Sequence, residues 1–276
     1  MKKTLLITSI LILALLVAGC QDLSQSISRG KLPAFGSYED YQTYIKDMDK
    51  DYFAYEHTMS IDDLESLDLE VVFEDVRFIY EDRQDVEVKY FGVFEKKGNK
   101  DKPKLKESLS SKAKLHVAWE GFRGEASGVM EVRLPHEDFK EIRVDNVSGD
   151  IEGHNLRFSQ VNLETVSGHI HFKEMHGKTL NLESVSGEIL VSLSQASSLY
   201  AETVSGDIKV GLDKQDGDLS LSSVSGDISL SASQYACLIE ADSVSGNIKV
   251  DSGVDGSGNY DIKVETVSGD ISITNK

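Results

Sequence analysis

Seven near copies of one phrase run through the second half of the chain: "DNVSGDIEG", "ETVSGHIHF", "ESVSGEILV", "ETVSGDIKV", "SSVSGDISL", "DSVSGNIKV" and "ETVSGDISI". Four places before the glycine, the copies read Asp145, Glu164, Glu183, Glu202, Ser222, Asp242 and Glu265. One place after it they read Asp150, His169, Glu188, Asp207, Asp227, Asn247 and Asp270. Between these columns lie Thr165, Ser184, Thr203, Ser223, Ser243 and Thr266, and then the serine of every Val-Ser-Gly. If the copies stack at the strand spacing of ~4.8 Å, two carboxylate rows border two hydroxyl rows along one edge.

Like charges at that spacing repel by about 0.9 kcal/mol per pair in water. Something must compensate. Solvent, salt and aspartates that accept turn hydrogen bonds supply one answer. A ligand supplies the other: Ca²⁺ held weakly, a cationic peptide, or a basic wall component. The eleven acids of the two columns are the candidate contacts. No copy is a calcium loop, since "DSGVDGSGNYDI" lacks the third-position acid and the twelfth-position glutamate of an EF-hand. "GHIHF" adds His169 and His171 on one outward strand face, a geometry suited to zinc, with His154 and His176 nearby but no third ligand evident.

These columns need a scaffold that repeats. The glycines Gly149, Gly168, Gly187, Gly206, Gly226, Gly246 and Gly269 are spaced by 19, 19, 19, 20, 20 and 23 residues, the length of one solenoid rung. Apolar residues recur seven, five and two places before the glycine and two and four places after it, as in Leu180, Leu182, Val185, Ile189 and Val191. Alternation at a step of two predicts a strand on each side, and the change of parity predicts a corner. Ser-Gly suits a type II turn, with glycine at positive φ, better than a tight hairpin. The expected fold class is therefore all-β: a parallel β-helix-like solenoid with rungs of 19 to 23 residues, plus one short N-terminal amphipathic helix.

The rung template also fits "LDLEVVFEDVRF", Leu67 to Phe78, with Phe73-Glu74 where Ser-Gly would stand. "QDVEVKYFGVF" and "AKLHVAW" read as further strands, and Lys96 to Lys114, with eight lysines against two acids, as an exposed loop that could touch anionic headgroups. Tyr38, Tyr41, Ile45, Met48 and Tyr52 predict a helix over about 38 to 53, N-capped by Ser37, that caps the first rung. At the other end, the last rung is expected to be covered by its own longer connection, "DSGVDGSGNYD", or by a second copy.

The chain opens with Lys2 and Lys3, an apolar run from about Leu5 to Val17, and "LVAGC". That ending resembles a bacterial lipobox, which implies cleavage before Cys20 and lipidation of it. Two acyl chains hold a protein firmly on a bilayer. Residues 1–19 are then a signal peptide, 20–36 a tether, 37–59 a helical cap or linker, and 60–276 one β-solenoid. The expected location is extracytoplasmic, on the cell membrane through Cys20. Cys237 reads as a small buried hydrophobe, so disulfides play no part. Removing residues 1–19 takes the formal charge from -18 to -20, and such a surface repels a phosphate backbone; nucleic acid is not an expected partner.

"LPHEDFKEIRVDNVSGDI" followed by serial VSGD-type repeats resembles the putative adhesin family of bacterial envelope proteins, a domain of unknown function with LiaG-like members. The resemblance covers about residues 60 to 276. It implies a right-handed β-helix-like fold and an association with envelope stress systems, and it carries over no catalytic residue and no cofactor. The functional expectation is a non-enzymatic binding or scaffolding module. The alternative is a polysaccharide-active enzyme on the same fold. That alternative needs a base, a charge-stabilising arginine or lysine and aromatic sugar platforms, but Arg157 is the last arginine and the repeats are poor in aromatics.

Overall fold

The computed structural model describes residues 27–28, 32–96, 104–108, 112–118, 123–136, 139–213, 215–232, 236–251 and 255–275. Cys20 and the lipobox lie outside these residues, as does the side chain of Cys237. No helix among the described residues is long and apolar enough to cross a membrane.

The repeats stack in parallel and in register. On one side of the corner Val144, Leu163, Leu182, Ala201 and Leu221 are successive partners. On the other side Ile151, Ile170, Ile189, Ile208 and Ile228 follow one another. The expected solenoid is what the chain forms, and one continuous apolar core runs through it. The degenerate rung takes its place directly below the Gly149 rung, with Leu67 beside Ile142 and Val76 beside Ile151.

The corner differs from its expected form in two ways. None of the repeat glycines has φ in the left-handed region, where Gly124 is the only glycine among the described residues. Glycine is needed for close stacking instead. A Cβ on Gly168, Gly187, Gly206 or Gly226 would come closer than 3.0 Å to the backbone carbonyl oxygen of the corner glycine one rung below.

The second difference concerns parity. Inward pointing continues at a step of two up to the residue three before the glycine. Thr165, Ser184, Thr203 and Ser223 are therefore buried, at 3%, 0%, 1% and 2% exposure, and the valines after them stay half-exposed at the corner. Val204 is not a core residue; Thr203 is. The buried hydroxyls donate to the corner carbonyls of the rung below: Ser184 Oγ to Gly168 O at 3.2 Å, Thr203 Oγ1 to Gly187 O at 3.4 Å and Ser223 Oγ to Gly206 O at 3.2 Å. A hydroxyl fits there because a corner brings a backbone carbonyl into the core, and burying it unpaired costs about 1–3 kcal/mol. Thr203→Ala should cost about 1–2 kcal/mol, and Val204→Ala less than about 1 kcal/mol, in urea unfolding. Equal costs would contradict this assignment of inside and outside.

The C-terminal rungs are out of sequence order. The last rung, Asp255–Ser268 with Ile271–Asn275, pairs with Gln215–Ser225 and Ile228–Ala232 of the Gly226 rung. The penultimate rung, Ala236–Ser245 with Ile248–Val250, pairs among the described residues only with the last one and stands outermost of them. Ile271 and Ile273 are therefore buried, at 1% and 0% exposure, beneath an earlier part of the same chain rather than beneath their own connection or a second copy. The apolar end passes to the outer rung, where Leu238, Val244, Ile248 and Val250 are 42% to 76% exposed.

At the N-terminal end, the helix is Tyr38–Lys46, and Ser37 Oγ accepts the Asp40 N–H at 3.1 Å. It stops short of residue 53 because Tyr52–Ile61 is a strand, paired antiparallel with Val86–Glu95, which in turn pairs antiparallel with Gly124–Leu134. Tyr90 and Phe94 of Val86–Glu95 face the main core. Phe91 and Val93 face the other way and, with Val129, receive Tyr41 and Phe35. The helix thus covers the outer face of this antiparallel extension. The lysine-rich segment is only partly loop-like: Lys104–Ser108 and Lys112–Ala118 form an antiparallel pair, and Lys114 bridges Asp68 at 3.0 Å and also Glu70.

Candidate functional site

The two carboxylate columns become rows in the folded chain, with different surroundings. In the row after the glycine, the aspartates accept the backbone N–H of the next rung's equivalent residue, whereas Glu188 turns to Lys209 and His171. Asp150 Oδ1 accepts from His169 N at 2.8 Å, Asp207 Oδ1 from Asp227 N at 3.0 Å, Asp227 Oδ1 from Asp270 N at 2.8 Å and Asp270 Oδ1 from Asn247 N at 2.7 Å. Asp75 of the degenerate rung begins the series, accepting from Asp150 N at 3.1 Å. One oxygen of each aspartate is therefore spent on the corner. An acid recurs here because the corner leaves an N–H outside the regular ladder, and a carboxylate accepts it with charge assistance.

The row before the glycine has no such duty. In space it runs Glu70, Asp145, Glu164, Glu183, Glu202, Ser222, Glu265, Asp242, the last two exchanged by the rung swap. Its ends are neutralised by basic side chains. Arg143 reaches Asp145 at 3.0 Å and Glu164 at 3.2 Å, Lys114 binds Glu70, and Lys263 binds Glu265. Asp242 lies exposed on the outer rung.

The middle lacks that neutralisation. Glu183 sits between Glu164 and Glu202, and Glu202 is only 5% exposed, with the Tyr200 hydroxyl donating to it. Burial first, then the neighbouring Glu164 and Glu202, push the Glu183 carboxyl up to about 7 against the pull of Arg143. Burial likewise raises Glu164, with Asp145 adding to it, and burial raises Glu202. Beside these acids, Asn181 Nδ2 donates to Asn162 Oδ1 at 2.7 Å, and Asn162 Nδ2 to Glu141 at 3.3 Å. The whole is a flat polar face of ordered rows.

Of the expected rows, then, one carboxylate row takes no backbone N–H, the aspartates of the other serve the backbone, and the hydroxyls Thr165, Ser184, Thr203, Ser223 and Thr266 belong to the interior. The serines of the Val-Ser-Gly corners do stay at the surface. A shallow groove lies elsewhere, on the strands that follow the glycines, over Leu190, Lys209, Ser229 and Ser272. It contains no carboxylate pair.

A fully buried acid escaped the sequence reading. Glu74 stands at the glycine position of the degenerate rung and is 0% exposed. Its Oε2 accepts Val72 N at 2.9 Å and Phe73 N at 3.0 Å, and Tyr90 donates to Oε1 at 3.1 Å. Burial raises its pKa, and those hydrogen bonds oppose the shift. The signal was present in Phe73-Glu74 replacing Ser-Gly: an acid at a close-packed corner must turn back onto its own turn.

A family model matches residues 64–275, the stretch that holds all seven stacked corners. The chain belongs to the Toastrack DUF4097 family. This bears out the resemblance drawn from the repeats. Solved structures similar to the chain include a putative adhesin from Bacteroides fragilis, 14% identical over 81% of this chain and 97% of that one, with a TM-score of 0.46. A putative adhesin from Parabacteroides distasonis is 11% identical over 81% and 97%, TM-score 0.44. A putative cell adhesion protein from Clostridium sporogenes is 12% identical over 81% and 100%, TM-score 0.38. No curated protein matches.

Proposed function

We propose that this Toastrack chain is a non-enzymatic, adhesin-like binding module of the bacterial envelope, held outside the cytoplasm by lipidated Cys20, which recognises a cationic ligand on the Glu164, Glu183 and Glu202 face. One observation carries the reading: three stacked, half-buried or buried carboxylates stand at the centre of the row, and of these Glu164 alone meets a basic side chain, Arg143, among the described residues. A ligand bearing several amines at strand-like spacing would neutralise them and relieve the cost of holding them charged. A basic peptide or an amine-bearing wall component has that chemistry, and Ca²⁺ is the weaker fit because the acids stand in a line rather than around a point. An association with envelope stress belongs to the same proposal, with a cationic peptide as the signal received.

The flat face favours binding over the polysaccharide-active alternative. Arg143 with Asp145 and Glu164 supplies a cation and two acids, but these groups lie on the open sheet face and not in the groove. Calorimetric titration of the full chain with oligolysine at low ionic strength tests the proposal. Saturable binding is expected, weakened at least about tenfold in the triple variant Glu164→Gln, Glu183→Gln, Glu202→Gln and suppressed by salt. Absence of binding at low salt, or equal binding by the triple variant, would overturn it.

A further inference from the structure

The third ligand that His169 and His171 lacked in the sequence is supplied by stacking. Glu188 occupies the same corner position as His169 one rung on, because Ile170 and Ile189, the residues that follow them, are direct partners. His171 lies two residues beyond His169 on the same outward face, so the three side chains form a triangle fixed by backbone pairing. One donor atom from each lies within 4.8 Å of the others. The two imidazole rings stack with centroids 5.3 Å apart, and His171 Nε2 stands 3.4 Å from Glu188 Oε2. That nitrogen is screened from solvent and makes no hydrogen bond.

We propose that His169, His171 and Glu188 form a binding site for a divalent transition metal, zinc above all. Two imidazoles and one carboxylate are the donor set of many open zinc sites, whereas calcium and magnesium take oxygen ligands. Leu190, the strand partner of His171, stands beside the cluster and lines the shallow groove.

Two local groups set the affinity. Lys209 Nζ lies 2.5 Å from Glu188 Oε1, so its ammonium already occupies the cation's place on that carboxylate and competes with the metal. His169 Nδ1 accepts the Glu188 N–H at 3.0 Å, and ligation through this ring exchanges that hydrogen bond for a metal–nitrogen bond. Both effects weaken zinc without blocking it. The site is separate from the carboxylate row of the proposed function and stands or falls independently of it.

The test is titration of the full chain with Zn²⁺ against a chromophoric chelator. One zinc per chain is expected. His169→Ala and His171→Ala should each weaken binding at least about tenfold, whereas His154→Ala and His176→Ala should change it less than about twofold. Lys209→Ala should tighten it several-fold, which a merely structural role for the cluster would not produce. Absence of stoichiometric zinc in the wild type, or equal losses in the His154 and His176 variants, would overturn the proposal.

Discussion

Gly187→Ala is expected to lower the melting temperature by about 6–12 °C, corresponding to a loss of about 3 kcal/mol for a domain of this size. The added methyl would press into the carbonyl of Gly168 and would also come within 3.0 Å of Ser184 Oγ. Neither neighbour can yield cheaply. The Gly168 carbonyl belongs to a backbone held by strands on both sides, and it already accepts the Ser184 hydroxyl. Relief requires separating two rungs locally, and the ladder on either side resists that. Ser186→Ala, at the exposed neighbouring position, should stay within about 0.5 kcal/mol of the wild type. Thermal unfolding of both variants decides the matter. A small effect of Gly187→Ala would mean that the corners do not stack as closely as described, or that glycine serves its backbone freedom after all.

Glu183→Gln should stabilise the protein at pH 8 and leave it nearly unchanged at pH 5. The unfolded chain releases the Glu183 proton near 4.5, and the folded chain holds it to about 7. Between those values the folded state binds more protons than the unfolded one, so its stability falls as pH rises through the window. Taken whole, such a shift is worth about 3 kcal/mol. Solvent access to the half-buried face reduces it to about 1–2 kcal/mol. The wild type should therefore lose melting temperature from pH 5 to pH 8, and the variant should recover about 2–8 °C of that loss at the higher pH. Glu164 and Glu202, raised by burial, act in the same direction. A cationic ligand on this face should flatten the same pH profile, which links the stability experiment to the proposed function. A difference between wild type and variant that does not depend on pH would remove Glu183 as its source.

The acid in each repeat has two separate explanations. Asp207 is required by the corner, where it takes the Asp227 N–H. Glu202 and Glu183 satisfy no backbone group through their side chains, and their charge is held against burial and against each other. Residues that cost stability without serving the fold are where function is to be sought.

The sequence by itself determined the rung, its period, its in-register parallel stacking and the family, because a local pattern repeated seven times buries its apolar residues by stacking like on like. It also placed both acid columns and the Ser37 cap. Three things were decided only in three dimensions. The order of the last two rungs was one, since each copy fits any slot and only the tertiary packing selects which of them stands outermost. The inside of the corner was another: valine is more apolar than threonine, yet Thr203 lies in the core because a hydroxyl there pairs a buried carbonyl that valine would leave unpaired. The last was the company of His169 and His171, for Glu188 is a neighbour through space by one turn of the solenoid, a distance of one rung that the linear sequence spreads over 19 residues.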